Sequence, residues 1–129
     1  MTRDLDKGKY AGYLAKAEKS LKVSKIALRE GAYDAAVMNA VHSAINALDA
    51  LTTYFLGKRS SGQHANPPSL TKSILTPQEQ DDIEKQYKSL IRLKNASEYQ
   101  PDMMKPKEAE NSIKVAERIL DKVRIKLPG

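Results

Sequence analysis

Residues 33–56 read YDAAVMNAVHSAINALDALTTYFL, with apolar side chains recurring every three or four residues. This is the period of an α-helix, and the apolar positions cover roughly 200° of its circumference at about 100° per residue. The remaining arc includes His42, Asn46 and Asp49 and carries one formal charge, where a solvated helix face normally carries several. The sequence therefore predicts a helix that is buried on more than one side.

The preceding segment is predicted to be a helix over about residues 6–30. Its seam has alternating spacings of four and three residues and consists of Tyr10, Leu14, Ala17, Leu21, Ser24 and Leu28. Gly31 ends this helix, because glycine readily adopts the left-handed conformation found at helix C-termini. Since the second helix begins within two or three residues, the pair is predicted to form an antiparallel hairpin.

A long connection follows the second helix, which ends at Gly57. Residues 57–76 exceed the usual length of a helix–helix loop, and loops of this length tend to be functional or disordered. Leu70, Ile74 and Leu75 predict that the second half of this crossover packs against the core as a short helix.

Two further helices are predicted after the crossover. Thr76, Pro77 and Glu79 form a capping box with proline in the first turn, so the third helix starts at residue 77 and ends near residue 98 or 99. Pro106 suits the first turn of the fourth helix. The apolar stripe of that helix is Ala109, Ile113, Ala116, Leu120, Val123 and Leu127.

These helices define the fold class. No segment of four or more residues alternates in the manner of a half-buried strand, so the chain is predicted to be all-α. We expect an antiparallel four- to five-helix up-and-down bundle, with the long crossover between helices two and three. A chain of 129 residues buries enough surface for one core, so residues 1–129 are predicted to form a single domain.

Composition limits the function further. The 22 Lys and Arg residues exceed the 16 Asp and Glu residues, and the net charge of +6 favours polyanionic partners, although surface lysines also promote solubility. The absence of cysteine excludes disulfides, thiolate zinc sites, iron–sulfur clusters and a cysteine nucleophile. The longest apolar run, residues 35–38, is far shorter than the about 20 residues of a membrane span. We therefore expect a soluble cytoplasmic protein.

Lys94 is the most informative polar residue. It continues the apolar stripe of the third helix, which runs through Ile83, Tyr87 and Leu90. A lysine in such a position usually extends its ammonium group to solvent. The alternative is that a cleft opens at this end of the bundle, where Lys94 meets a phosphate or an internal carboxylate such as Asp49 or Glu98.

The two histidines have different settings. His42 lies on the polar arc of the second helix with Asn46 one turn later, which fits either a structural hydrogen bond or a functional seam. His64 lies in the crossover. Two isolated histidines without ligand partners predict no metal site, and the sequence contains no phosphate-binding loop or dinucleotide fingerprint, so we expect no cofactor.

Two short motifs carry a resemblance. Residues 41–51 read VHSAINALDAL, and residues 94–99 read KNASEY after the glycine-containing crossover. In this order and spacing they resemble the HEPN domain (higher eukaryotes and prokaryotes nucleotide-binding) over about residues 8–127. The resemblance implies a small helical bundle that forms a homodimer through its central helices and binds a nucleotide or RNA. It also implies a minimal nucleotidyltransferase as partner, sometimes with the HEPN protein as the toxin of a toxin–antitoxin pair.

Many proteins of that family are metal-independent ribonucleases. Their motif is an arginine, commonly followed by asparagine, with a histidine four to six residues after the arginine. Lys94 falls at the arginine position, Asn95 at the asparagine and Tyr99 at the histidine. Lysine lacks the bidentate fork of guanidinium, and tyrosine is a poorer base than histidine at neutral pH, so this departure argues against cleavage. Arg59 and His64 have the same spacing, but they lie in the crossover.

Three functions remain open from the sequence. The first is a homodimer that binds a nucleotide, RNA or nucleotidyltransferase through a cleft near Lys94. The second is a ribonuclease that uses the same groups with His42 or His64, and the third is a structural dimerisation module. The candidate binding residues are Lys94, Asn95, Glu98, Tyr99, His42 and Asn46. Because helix two is too apolar for four helices to cover, we expect self-association through helices one and two, where Val23 and Ile26 lie off the seam.

Overall fold

The computed structural model describes residues 2–4, 6–61, 66–99 and 103–128. Within these ranges, the α-helices are α1 (Tyr10–Arg29), α2 (Tyr33–Leu56), α3 (Pro67–Leu70), α4 (Pro77–Tyr99) and α5 (Pro106–Lys126). Two 3-10 turns, Lys7–Lys9 and Thr71–Ser73, and two strands, β1 (Thr2–Asp4) and β2 (Lys58–Ser60), complete the order. The all-α prediction is confirmed, with α4 and α5 as the predicted third and fourth helices.

Local signals determine the ends of these helices. Gly31 and Gly57 follow α1 and α2 with φ angles of 76° and 65°, as the sequence predicts for left-handed C-terminal residues. The first helix is shorter than predicted at its N-terminus. The Asp6 side chain accepts a hydrogen bond of 2.9 Å from the Gly8 amide and caps a separate 3-10 turn before α1 begins.

Helix α2 is the centre of the bundle. Helices α1, α4 and α5 of the same chain all pack against it, and side chains such as Val37, Leu48 and Leu51 are almost completely buried. Most of the apolar circumference of α2 is therefore covered within one chain, although Phe55 near its end is 40% exposed. The apolar character of α2 does not by itself require a second copy, which corrects the reasoning from the sequence. Val23 and Ile26 on α1 nevertheless remain 46% and 39% exposed.

Two serines explain the polar positions in the α1–α2 contact. The Ser24 hydroxyl donates to the Ala36 carbonyl at 2.6 Å, and the Ser43 hydroxyl donates to the Ala17 carbonyl at 2.7 Å. Both serines are completely buried, and each hydroxyl has its hydrogen-bond partner in the neighbouring helix.

A short antiparallel ribbon joins the N-terminus to the crossover. The paired residues are Thr2 with Ser60, Arg3 with Arg59 and Asp4 with Lys58. The sequence gives no sign of it, because three-residue strands are too short to show alternation. The ribbon places Arg59 over the end of the bundle.

A cap and two ion pairs with α5 hold the start of helix α4. The predicted capping box is confirmed: the Glu79 amide donates to the Thr76 hydroxyl at 3.2 Å, and the Thr76 amide donates to the Glu79 carboxylate at 2.9 Å. Lys126 and Lys122 of α5 pair with Glu79 and Asp82. In the described part of the chain, no helix is long and apolar enough to cross a membrane.

Candidate functional site

An open cleft of about 750 Å³ lies between α2 and α4, with α3 and the 3-10 turn after it forming a further wall. Its volume is within the range of ligand pockets, about 300–1,000 Å³. The lining residues are Ile45, Asn66, Pro68, Ser69, Lys72, Glu84, Tyr87, Lys88, Ile91 and Lys94.

The lining combines positive charge with an apolar wall. Lys72, Lys88 and Lys94 contribute three ammonium groups against the single carboxylate of Glu84. The apolar wall consists of one aromatic ring and two branched side chains, from Tyr87, Ile45 and Ile91. Lysines can contact phosphate oxygens, and an aromatic ring can stack against a base, so this combination suits a nucleotide.

A buried glutamine fixes the crossover wall of the cleft. The Gln80 side-chain amide donates to the Pro68 carbonyl at 2.9 Å and to the Glu84 carboxylate at 2.8 Å. Its carbonyl oxygen accepts from the Thr71 hydroxyl at 2.5 Å. These bonds join α3 to α4, and they hold Pro68 and Glu84 in the lining.

Lys94 lies at the edge of the core and lines the cleft. Its ammonium nitrogen is 3.2 Å from the Glu98 carboxylate, and both side chains are 30% exposed. Of the two carboxylates named from the sequence, Glu98 is therefore the partner of Lys94. Because an ion pair near the surface contributes little net stability, a phosphate group in the cleft can replace Glu98 as the partner of this ammonium group.

The other predicted site residues lie outside the lining. Asn95 is exposed, and Tyr99 at the end of α4 is 76% exposed. His42 is exposed on α2, where its carbonyl accepts a hydrogen bond of 2.8 Å from the Asn46 side chain. The structure thus brings together Lys94 with Glu98, and His42 with Asn46. His64 lies outside the described residues.

The sequence did not identify the remaining charged residues of the cleft. Lys88 is one residue from the apolar stripe of α4, and Lys72 lies in the crossover, so neither differs in sequence from an ordinary surface lysine. The sequence predicts Tyr87 only as part of the packing stripe of this helix. Its contact with the cleft depends on how far α4 stands from α2, which periodicity does not show.

A buried carboxyl lies one helical turn from the cleft wall, because Asp49 follows Ile45 by four residues on α2. Asp49 is 4% exposed, and its Oδ1 atom has no hydrogen-bond partner among the described residues. Burial raises the pKa of Asp49 to about 6, although the positive charge of Arg59 partly offsets this effect. Burial and the negative charge of Asp49 together raise the pKa of Tyr87 to about 12. At neutral pH the Tyr87 phenol is therefore a hydrogen-bond donor and not a base.

Arg59 approaches this carboxyl from β2. Its guanidinium carbon lies 5.9 Å from the centre of the Tyr13 ring, and one of its terminal nitrogens donates to the Ser60 carbonyl at 3.3 Å. Its Nε atom and the Thr53 hydroxyl are buried without hydrogen-bond partners in the described part of the chain. The end of the bundle therefore contains several polar atoms whose hydrogen-bonding capacity is unused.

A family model described as HEPN domain matches residues 10–126, which include every residue of the cleft. No curated protein and no solved structure matches the chain significantly. Among the described residues, no group of three or more His, Asp or Glu side chains could hold a metal ion.

Proposed function

The chain belongs to the HEPN domain family, and on that premise we propose that it binds a nucleotide or single-stranded RNA in the cleft between α2 and α4. The family supports a helical protein with a role related to nucleotides or RNA. The observation that carries the proposal is the convergence of Lys72, Lys88 and Lys94 on one open cleft with an aromatic wall.

The charge of the cleft accounts for affinity. Lysines that contact phosphates release condensed counterions, so binding weakens as salt rises. With three lysines in the lining, the logarithm of the binding constant should fall with the logarithm of salt concentration at a slope of about −2. Glu98 weakens the attraction between Lys94 and a phosphate, because it already pairs with Lys94 and must be displaced.

The apolar wall accounts for the kind of ligand. Tyr87 can stack against a base, and Ile45 and Ile91 add apolar surface to the same lining. A ligand with phosphates and a base would use both halves of the lining, whereas inorganic phosphate would use only the lysines.

The same lining favours binding over cleavage. Tyr87 has a pKa raised to about 12, so it cannot remove a proton from a ribose hydroxyl at neutral pH. His42, the histidine that lies within the described ranges, is not among the lining residues. Glu84 is the single carboxylate of the lining, and it already accepts a hydrogen bond of 2.8 Å from the Gln80 side chain.

Fluorescence anisotropy with a labelled short oligouridylate tests this proposal. Lys88→Ala and Lys72→Ala should each weaken binding and reduce the salt slope by about 0.7, since each removes one phosphate contact. Lys114→Ala is the matched control, because Lys114 is exposed on α5 and is not part of the lining. An oligouridylate that does not bind at low salt, or a control that weakens binding equally, would contradict the proposed function.

A homodimer is part of the same proposal, since HEPN domains commonly dimerise. The exposed Val23 and Ile26 on α1 are the apolar groups that support it. Ile26→Glu should convert the dimer to a monomer in sedimentation experiments at micromolar concentration. Ile125→Glu, at an 83% exposed position on α5, should not. A wild-type monomer would refute the homodimer.

A nucleotidyltransferase partner and a toxin role are proposed on the resemblance alone.

A further inference from the structure

Two residues of the cleft wall are related to Asp49, one by its position on α2 and the other by charge. Ile45 lines the cleft and precedes Asp49 by one turn of α2. Tyr87 also lines the cleft, and the charge of Asp49 contributes to the raised pKa of its phenol. The carboxyl is thus separated from a bound ligand by the apolar wall and not by solvent, so their charges are weakly screened.

The crossover provides a second connection. Arg59, on β2, is the cation whose charge partly stabilises the Asp49 carboxylate. The next residue, Ser60, accepts a hydrogen bond of 3.0 Å from the Asn66 amide through its hydroxyl, and Asn66 lines the cleft. Asp49 is therefore linked through Arg59 and Ser60 to Asn66 in the crossover wall of the cleft.

Resting on the proposed function, we propose that binding of a polyanionic ligand in the cleft is coupled to uptake of a proton by Asp49. A bound phosphodiester places negative charge across the apolar wall from a buried carboxylate whose Oδ1 atom receives no hydrogen bond from the described residues. The ligand makes the ionised carboxylate less favourable, and a proton from the buffer neutralises it. By linkage, ligand affinity then rises as pH falls.

Several charged and titratable groups surround Asp49 and the cleft. The positive charge of Arg59 on β2 acts on Asp49, and the charge of Asp49 acts on Tyr87 on α4. The ring centre of Tyr13 on α1 lies 5.9 Å from the guanidinium carbon of Arg59. Glu84, Lys88 and Lys94 are the charged side chains in the cleft on the α4 side. Glu98 is the competitor to be tested, because a ligand that attracts Lys94 would leave this carboxylate unpaired.

The expected proton uptake is measurable. With a pKa of about 6, Asp49 is about one-tenth protonated at pH 7 in the free protein. If the bound ligand raises this pKa to about 7, the carboxyl becomes about half protonated, so about 0.4 proton is taken up per ligand.

Isothermal titration calorimetry at pH 7, in buffers of different ionisation enthalpy, measures this uptake. The probe is a short oligouridylate with hydroxyl ends, because neither its phosphodiesters nor its bases titrate near neutral pH. Wild type should take up about 0.4 proton. Asp49→Asn should bind with almost no uptake, and Glu98→Gln should retain it. Carbon NMR of the Asp49 carboxyl should show its titration midpoint moving to higher pH with the probe.

Each other outcome has a distinct meaning. If wild type does not bind the probe, the proposed function fails and this proposal fails with it. If wild type binds but Asp49→Asn takes up as many protons, or neither takes up any, the coupling is refuted while the binding site stands. Loss of uptake in Glu98→Gln but not in Asp49→Asn would assign the proton to Glu98 and refute the role of Asp49.

Discussion

Replacing Asp49 by asparagine should stabilise the protein at neutral pH and change its stability little in mild acid. The residue is 4% exposed and lies on the central helix α2, where its Oδ1 atom has no hydrogen-bond partner among the described residues. Asparagine has almost the same shape and carries no charge. The substitution therefore removes the ionised carboxylate while leaving the packing of the bundle in place.

The direction and size of the effect follow from the pKa. Asp49 has a higher pKa in the folded chain, about 6, than its ordinary value of 3.8, so folding is favoured when the carboxyl is protonated. The stability that the protonated Asp49 carboxyl contributes is fully present below about pH 4, and it is lost as pH rises through about 6. The difference between 3.8 and about 6 corresponds to about 3 kcal/mol, since each pKa unit is worth about 1.4 kcal/mol.

Urea unfolding across about pH 4 to 8 measures this difference. The free energy of unfolding of Asp49→Asn minus that of wild type should increase by about 2.5 kcal/mol between the two ends of the range, because the unfolded carboxyl is already partly ionised at pH 4. Asp81→Asn is the matched control, because its carboxylate is 65% exposed and pairs with Lys85 on the same helix, a contact worth at most about 0.5 kcal/mol. A difference for Asp49→Asn that stays constant within about 0.5 kcal/mol would refute the reasoning.

Three further substitutions test the fold. Leu90→Ala, at a completely buried position of α4, should lower the free energy of unfolding by about 3 kcal/mol in urea titrations, and a loss below about 1 kcal/mol would show that α4 packs loosely. Thr76→Ala removes the capping hydroxyl of α4 and should cost about 1 kcal/mol by the same measurement; no loss would mean that the cap does not form. Gly57→Ala forces a side chain into the left-handed region at φ 65° and should lower the melting temperature, at a cost of about 1–2 kcal/mol, unless this turn is not left-handed.

The helices could be predicted because their limits are local. The ends of α2 agree with a prediction based on periodicity and Gly57, and the start of α4 agrees with the capping box at Thr76. The ribbon of β1 with β2 could not be predicted, because it pairs two three-residue segments separated by the whole α1–α2 hairpin. Such pairing depends on tertiary contacts and leaves no pattern in a short strand.

The candidate site was predictable only where a residue broke a pattern. Lys94 could be identified because a lysine continues an apolar stripe, and it does line the cleft. Lys72 and Lys88 follow no such pattern, since exposed lysines are common on any surface. The neighbour of Asp49 was also unpredictable from sequence, because Arg59 reaches it only through the path of the crossover.

Asp49 is difficult to explain by stability. An uncharged residue at this position would avoid a penalty of about 3 kcal/mol at neutral pH, a large share of the stability of a small domain. Arg59 offsets only part of that penalty, and its own Nε atom stays without a partner among the described residues. Buried groups with perturbed pKa values concentrate at functional sites. The charge of this carboxyl acts on Tyr87 in the lysine-lined cleft, which supports the proposed role of Asp49 in ligand binding.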